Sequence, residues 1–385
     1  MTEAIKIKNL GPIKDIAIDK IRPLTAIIGE SGSGKSLFMK VLSLMRFIYK
    51  KLNVRCFLLN SGFRRSPFRI RLDTMLHDDL KHYLTRPGVE VEYSVTADSG
   101  NTYFIRISGN KVSMSKSIAN EDLVFTKESW VSETRNVIAT WKANPANNRG
   151  WLGFFFHETL NDFNEAAATI DQIDMNFVGA RMKVMSSANG KRFLLAVDGK
   201  HDPIDIRFAS SGMQTAAPLA ALAQYFARSF SFKEAKRRSV LSYLYEADRL
   251  VDFHPQIELA DMPSVINMHV EEPELSLDPV SQIRLVESLV GTSFDKTANH
   301  MTLTFATHSP YIVNALNLII NRHDDNLRLS HDSVAAYRFV DGHMINLMAK
   351  TEAGINIVDT TDLTAPMEQI YEEYVSLTET DSPHE

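Results

Sequence analysis

Gly29-Glu30-Ser31-Gly32-Ser33-Gly34-Lys35-Ser36 fits GxxxxGK[ST] without a gap, and no other stretch constrains the fold as tightly. The glycines allow backbone N–H groups to turn inward on phosphates. Lys35 reaches the β/γ oxygens, and the Ser36 hydroxyl is placed for Mg²⁺. Such a loop needs a buried strand before it and a helix after it. Leu24–Ile28 is a short continuous apolar run. Ser36–Leu52 carries apolar residues at 37, 38, 41, 42, 44 and 45, a helical spacing. The expected class is therefore α/β, with a nucleotide held at a strand–helix junction.

A second box indicates what is done with the nucleotide. Pro263–Val270 reads as a strand ending in Glu271-Glu272, followed by Pro273 and then Asp278. The first acid is placed to hold Mg²⁺, and the second to orient or deprotonate the water that attacks the γ-phosphate. Asn267 and His269 interrupt this strand and mark one face of it as less buried than usual. Ser210-Ser211-Gly212-Met213-Gln214 opens a helix and offers a second anion site at its N-terminus. His308 follows the strand Met301–Ala306 and is positioned to sense the γ-phosphate.

The rest of the chain is read more coarsely. Residues 4–9 and 14–19 alternate as two strands, and 89–95 with 102–107 form a hairpin around Ser99-Gly100-Asn101. Residues 113–177 are rich in Asn, Ala, Glu and Asp and read as a largely helical insertion. Strands return at 181–186, 192–197 and 203–208, with Asn189-Gly190 and Asp198-Gly199 as turns. Helices are expected at 214–230, 279–289 and 310–320, and Asp381–Glu385 as a frayed end. Net charge is −5, so nucleic-acid contact would have to be a local patch: Arg64, Arg65, Arg69 and Arg71, or Lys233, Lys236, Arg237 and Arg238. The single Cys56 excludes an internal disulfide and fits a reducing compartment. The N-terminus lacks a signal-peptide core, and no stretch reaches the roughly 18 apolar residues of a membrane span. A cytoplasmic protein with no membrane contact is expected.

The boxes in this order resemble those of ABC-type ATPase heads, specifically the SMC/RecF/OLD-like branch. IKIKNLGPIKDIAID with LTAIIGESGSGKS, EEPELSLDP and FATHSPYIVNAL carry the resemblance, over about 1–55 and 200–320. It implies a P-loop NTPase fold with an antiparallel β subdomain and a helical insertion. The implied divisions are an N-terminal ATPase lobe at 1–112, the insertion at 113–177, a C-terminal lobe at 178–350 and a tail at 351–385. ATP and Mg²⁺ are the implied cofactors. Glu271 becomes the Walker B acid, Glu272 the catalytic base, Asp278 the D-loop residue and His308 the switch. Ser210, Ser211, Gly212 and Gln214 become a signature that closes on the ATP of another subunit. A homodimer is then the minimum, with higher oligomers built from it.

No glutamine follows Lys35 at the usual Q-loop distance; Asn60 stands as the substitute. Trp130–Arg135 is similar to a proline–arginine motif of OLD-like ATPases, which makes Arg135 a candidate to approach the nucleotide. Compact heads of PARIS-like and Septu-like anti-phage systems resemble the chain. These imply a sensor or scaffold that controls a separately encoded nuclease or toxin, with DNA or a phage protein as trigger. The alternative is a RecF-like DNA-binding ATPase of repair or chromosome maintenance. A transporter ATPase fits least, because the glutamine that couples to a membrane partner is missing.

Overall fold

The computed structural model describes residues 1–385 except 64–67, 110, 139–152, 188–189, 200–201, 247–257, 323 and 381–385. Arg64, Arg65, Asn189 and the Asp381–Glu385 end therefore lie outside the described residues. The chain begins with β1 (Thr2–Leu10), β2 (Ile13–Ile21) and β3 (Leu24–Gly29), then α1 (Lys35–Asn60) and α2 (Asp78–Leu84). β4 (Glu90–Thr96), β5 (Thr102–Ser108), β6 (Lys111–Met114) and β7 (Phe125–Val131) follow. Next come α3 (Gly153–Thr169), β8 (Gln172–Met175), β9 (Ala180–Ser187), β10 (Gly190–Val197) and β11 (Ile204–Asp205). The remainder is α4 (Ser211–Gln224), α5 (Phe232–Glu246), β12 (Ser264–Glu271), α6 (Pro279–Ser293), β13 (Met301–Thr307) and α7 (Pro310–Asn321). β14 (Val334–Val340), β15 (His343–Asn346), β16 (Met348–Lys350), β17 (Asn356–Val358) and α8 (Thr361–Thr380) close the chain.

The central sheet runs β15-β14-β3-β13-β12-β7. Its strands are parallel except where β15 turns back on β14. Alternation along β3 divides the core. Leu24, Ala26 and Ile28 pack on one side with α3, α4, α6 and α7, and Ile27 packs on the other with α1. That second side is covered by the antiparallel sheet β2-β1-β4-β5-β6, as expected for 4–19 and 89–107. Among the described residues, no helix is long and apolar enough to cross a membrane.

Two expectations are corrected. The segment 113–177 is more than a helical insertion among its described residues. It contributes α3, but it also supplies β7, an edge strand of the central sheet paired in parallel with β12. Thr126, Lys127, Glu128 and Ser129 hid that strand, because polar residues in a short run read as surface.

The second correction follows from the first. Asn267 and His269 do not mark a less buried face of the strand; both are buried. Their partners come from β7, where Asn267 stands in register with Glu128 and His269 with Trp130. The Asn267 amide donates to Glu128 Oε1 at 2.9 Å and Thr302 Oγ1 donates to Asn267 Oδ1 at 2.8 Å. The His269 ring stacks on Trp130, its Nε2 lies 3.4 Å from Glu128 Oε2, and burial lowers its pKa. No metal cluster forms around it among the described residues. Glu128→Ala leaves the buried Asn267 amide without its acceptor, at a cost of about 1–3 kcal/mol. The expected result is a lower thermal unfolding midpoint with unchanged nucleotide binding; an unchanged midpoint contradicts this network.

Candidate functional site

β3, β13 and β12 are neighbours and run parallel, so their C-terminal ends lie side by side on one sheet edge. Adjacent strands are about 4.8 Å apart, and this edge is where α/β sheets bind ligands. Gly29–Ser36 leaves β3, Thr307-His308 leaves β13, and Glu271-Glu272 leaves β12. Topology thus brings the loop at 29–36 beside two segments that lie more than 200 residues further along the sequence.

The loop is built to receive an anion. Gly34 caps α1 in a left-handed conformation and leaves the first-turn amides with no side-chain cap, the arrangement that attracts phosphate. Lys35 is buried and donates to the carbonyls of Gly29 at 2.7 Å and Glu30 at 2.8 Å. Burial lowers its pKa, and Glu272 and Glu274 oppose that shift. Ser36 shares a hydrogen bond with the Glu271 carboxyl.

Glu271 is buried at the end of β12 and accepts from Trp130 Nε1 at 3.3 Å. It also shares a hydrogen bond with Glu133, just beyond β7, and burial followed by that neighbour pushes its pKa up to about 8. Two carboxyls this close hold one proton between them. With the Ser36 hydroxyl they form an oxygen donor set suited to a hard divalent cation. Sequence reasoning missed Glu133; the signal was its place two residues past the end of an unrecognised strand, beside Glu271.

Glu272 lies just past the strand in a left-handed conformation, φ 42°, with its N–H on Ala306 O at 2.8 Å. Its Oε1 is 3.6 Å from His308 Nε2, and both side chains are part-exposed. Glu274, also unmarked in the sequence, accepts from the His308 N–H at 2.6 Å and fixes the start of the loop after β13.

The structure does not bring every candidate to this edge. Ser210 caps α4 by accepting from Met213 N at 3.4 Å, and Ser210 and Ser211 are exposed beside Phe208, which is 78% exposed. Gln214 donates to Arg207 O and Ala209 O, both at 3.1 Å, so it braces the loop before α4. A Cβ on Gly212 would fall 2.6 Å from Ser276 O, so only glycine lets α4 approach the turn after Glu272 this closely. Asp278 caps α6 by accepting from Val280 N and Ser281 N, bonds that lower its pKa.

Asn60 and Arg135 have other places than expected. Asn60 ends α1, about 38 Å from Lys35 at 1.5 Å per residue, and its amide bonds Ile118 O and Asn120 Oδ1. It has no part in the phosphate loop. Arg135 is neither on the surface nor turned to a nucleotide; it is fully buried, and its bonds go to main-chain carbonyls.

No family model matches the chain, and no curated protein matches it. Among solved structures it is similar to the SMC head domain from Thermotoga maritima, at TM-score 0.40 and 12% identity over 91% of this chain and 100% of that one. It is also similar to an SmcHead bound to the C-winged helix domain of ScpA, at TM-score 0.41 and 13% identity over 91% and 98%. A third is an Smc head domain with an extended coiled coil bound to the C-terminal domain of ScpA derived from Pyrococcus furiosus. There the TM-score is 0.39 and identity 11%, over 97% and 99%. At these values the fold rests on the sheet order and the loop–helix junction described above.

Proposed function

We propose that this chain binds and hydrolyses ATP, and that each site is completed by the signature of a second copy. The observation that carries this reading is the meeting of Lys35, Ser36, Glu271, Glu272 and His308 on one edge of a parallel sheet. The α1 amides and Lys35 hold phosphates. Ser36, Glu271 and Glu133 would hold Mg²⁺, which supplies charge neutralisation on the phosphate oxygens. Glu272 orients and deprotonates the attacking water, and His308, 3.6 Å away, responds to the γ-phosphate. Ser210, Ser211 and Gly212 act in trans. In support, their helix N-terminus is exposed and its neighbours Gly212 and Thr215 pack on the turn after Glu272. On this reading 1–112 and 178–350 are the two ATPase lobes, joined by 113–177.

The resemblance of the box order to compact anti-phage heads supports a role as sensor or scaffold for a separately encoded effector. The DNA-clamp reading draws less support. Lys236 is buried on Ala260 O and Met262 O, Arg237 faces Glu234, and Arg238 faces Glu165. Steady-state phosphate release from Mg²⁺-ATP tests the enzymatic claim. Turnover abolished by chelating Mg²⁺ is expected; ATP bound without turnover at any chain concentration contradicts it.

A further inference from the structure

We propose that Arg135 is a positioning residue that locks the catalytic turn of this chain to its own signature helix, so that the two half-sites move as one body. The inference rests on the ATPase reading and deepens it. A guanidinium has five N–H donors in a fixed fork, and Arg135 directs all of them at carbonyl oxygens. Nε donates to Thr215 O at 3.0 Å. Nη1 donates to Ser132 O at 3.1 Å and Glu271 O at 2.8 Å. Nη2 donates to Glu272 O at 2.7 Å and, more weakly, to Pro273 O at 3.4 Å.

These carbonyls belong to three separate segments: the end of β7, the turn after β12 and the first turns of α4. None of the donors is left to reach a nucleotide. The clamped carbonyl of Glu272 belongs to a residue in a left-handed backbone conformation, which a non-glycine residue keeps only when its surroundings hold it. A second tie runs parallel. Thr215 Oγ1 donates to Leu275 O at 2.8 Å, and Gly212 sits against Ser276 O. Burial lowers the Arg135 pKa to about 10, against the pull of Glu274, Glu272, Glu133 and Glu271, so the clamp stays charged at neutral pH.

The two surfaces joined this way face different nucleotides in the proposed dimer. Glu272 serves the ATP of its own chain, and Ser211 serves that of the partner copy. A clamp between them transmits the closure of one site to the geometry of the other.

Arg135→Lys tests this, because an ammonium is a point donor and cannot span the three segments. Two readouts are taken. Hydrogen exchange is expected to rise together at 272–277 and 211–216, with the phosphate loop unchanged. Turnover is expected to fall about a hundredfold, the scale of a displaced catalytic group, with ATP affinity retained. Exchange unchanged at 211–216, or turnover equal to wild type, overturns the proposal. If Arg135→Lys does not fold, Thr215→Val cuts the parallel tie and is judged by the same exchange pattern and the same split between turnover and affinity. Where the wild-type chain itself releases no phosphate, the ATPase reading is refuted and exchange alone decides: a linked rise at both segments in Arg135→Lys leaves the clamp standing.

Discussion

Glu272→Gln is expected to bind ATP as wild type does and to lose turnover by about 10²–10⁴-fold, the range that a general base contributes. Glutamine keeps the shape of the side chain and its place beside His308, 3.6 Å away in the wild type. It removes the acceptor that takes a proton from water. The main-chain bonds that hold the turn, from Arg135 and to Ala306, do not involve the side chain and persist. Lys35, Ser36 and Glu271 are untouched, so the phosphate and cation contacts survive. Phosphate release in the steady state, set against equilibrium nucleotide binding, checks both halves. Unchanged release assigns the base elsewhere, with Glu274 the nearest remaining carboxylate to the His308 backbone.

Ser211→Arg is the second large effect. Ser211 is exposed at the start of α4, so the substitution spares the core. It places a cation at a helix N-terminus, where the macrodipole opposes it, and in the proposed shared site it blocks the face assigned to the partner's γ-phosphate. Loss of a preorganised anion contact of this kind typically slows turnover by about 10²–10³-fold. ATP binding to the same chain's Lys35 is expected to persist. Turnover that survives the substitution removes Ser211 from the mechanism.

Legibility in the sequence followed the local character of each signal. The strand–loop–helix at 24–52 was readable because glycine spacing, an apolar run and a helical period all fall within thirty residues. Glu271-Glu272 and His308 were readable because each ends an apolar strand. β7 was not, because Thr126 and Ser129 are buried, and Glu128 half-buried, against partners on β12 and α3 that no local pattern reveals. Three further readings failed with it. Asn267 and His269 looked less buried than usual, Glu133 went unmarked beside Glu271, and Arg135 had no carbonyls to clamp. β14 was also passed over. It pairs in parallel with β3 and brings Phe339 O to within 2.9 Å of where a Cβ on Gly29 would sit. The first glycine of the loop is thus demanded partly by a strand 305 residues later. α8 bears Met367, Ile370 and Tyr371 exposed on one face, a periodicity visible in the tail once it is sought.

The central claim is that one catalytic site draws residues from two chains. Mixing the two inactive variants tests it most directly. A Ser211→Arg chain keeps its own Lys35 and Glu272, and a Glu272→Gln chain keeps a sound signature. Pairing them assembles one complete site. The expected result is recovery of about a quarter of the wild-type rate in an equal mixture, since half of randomly formed twofold dimers then carry one complete site of two. A mixture that stays as inactive as either variant alone contradicts a site shared between two copies.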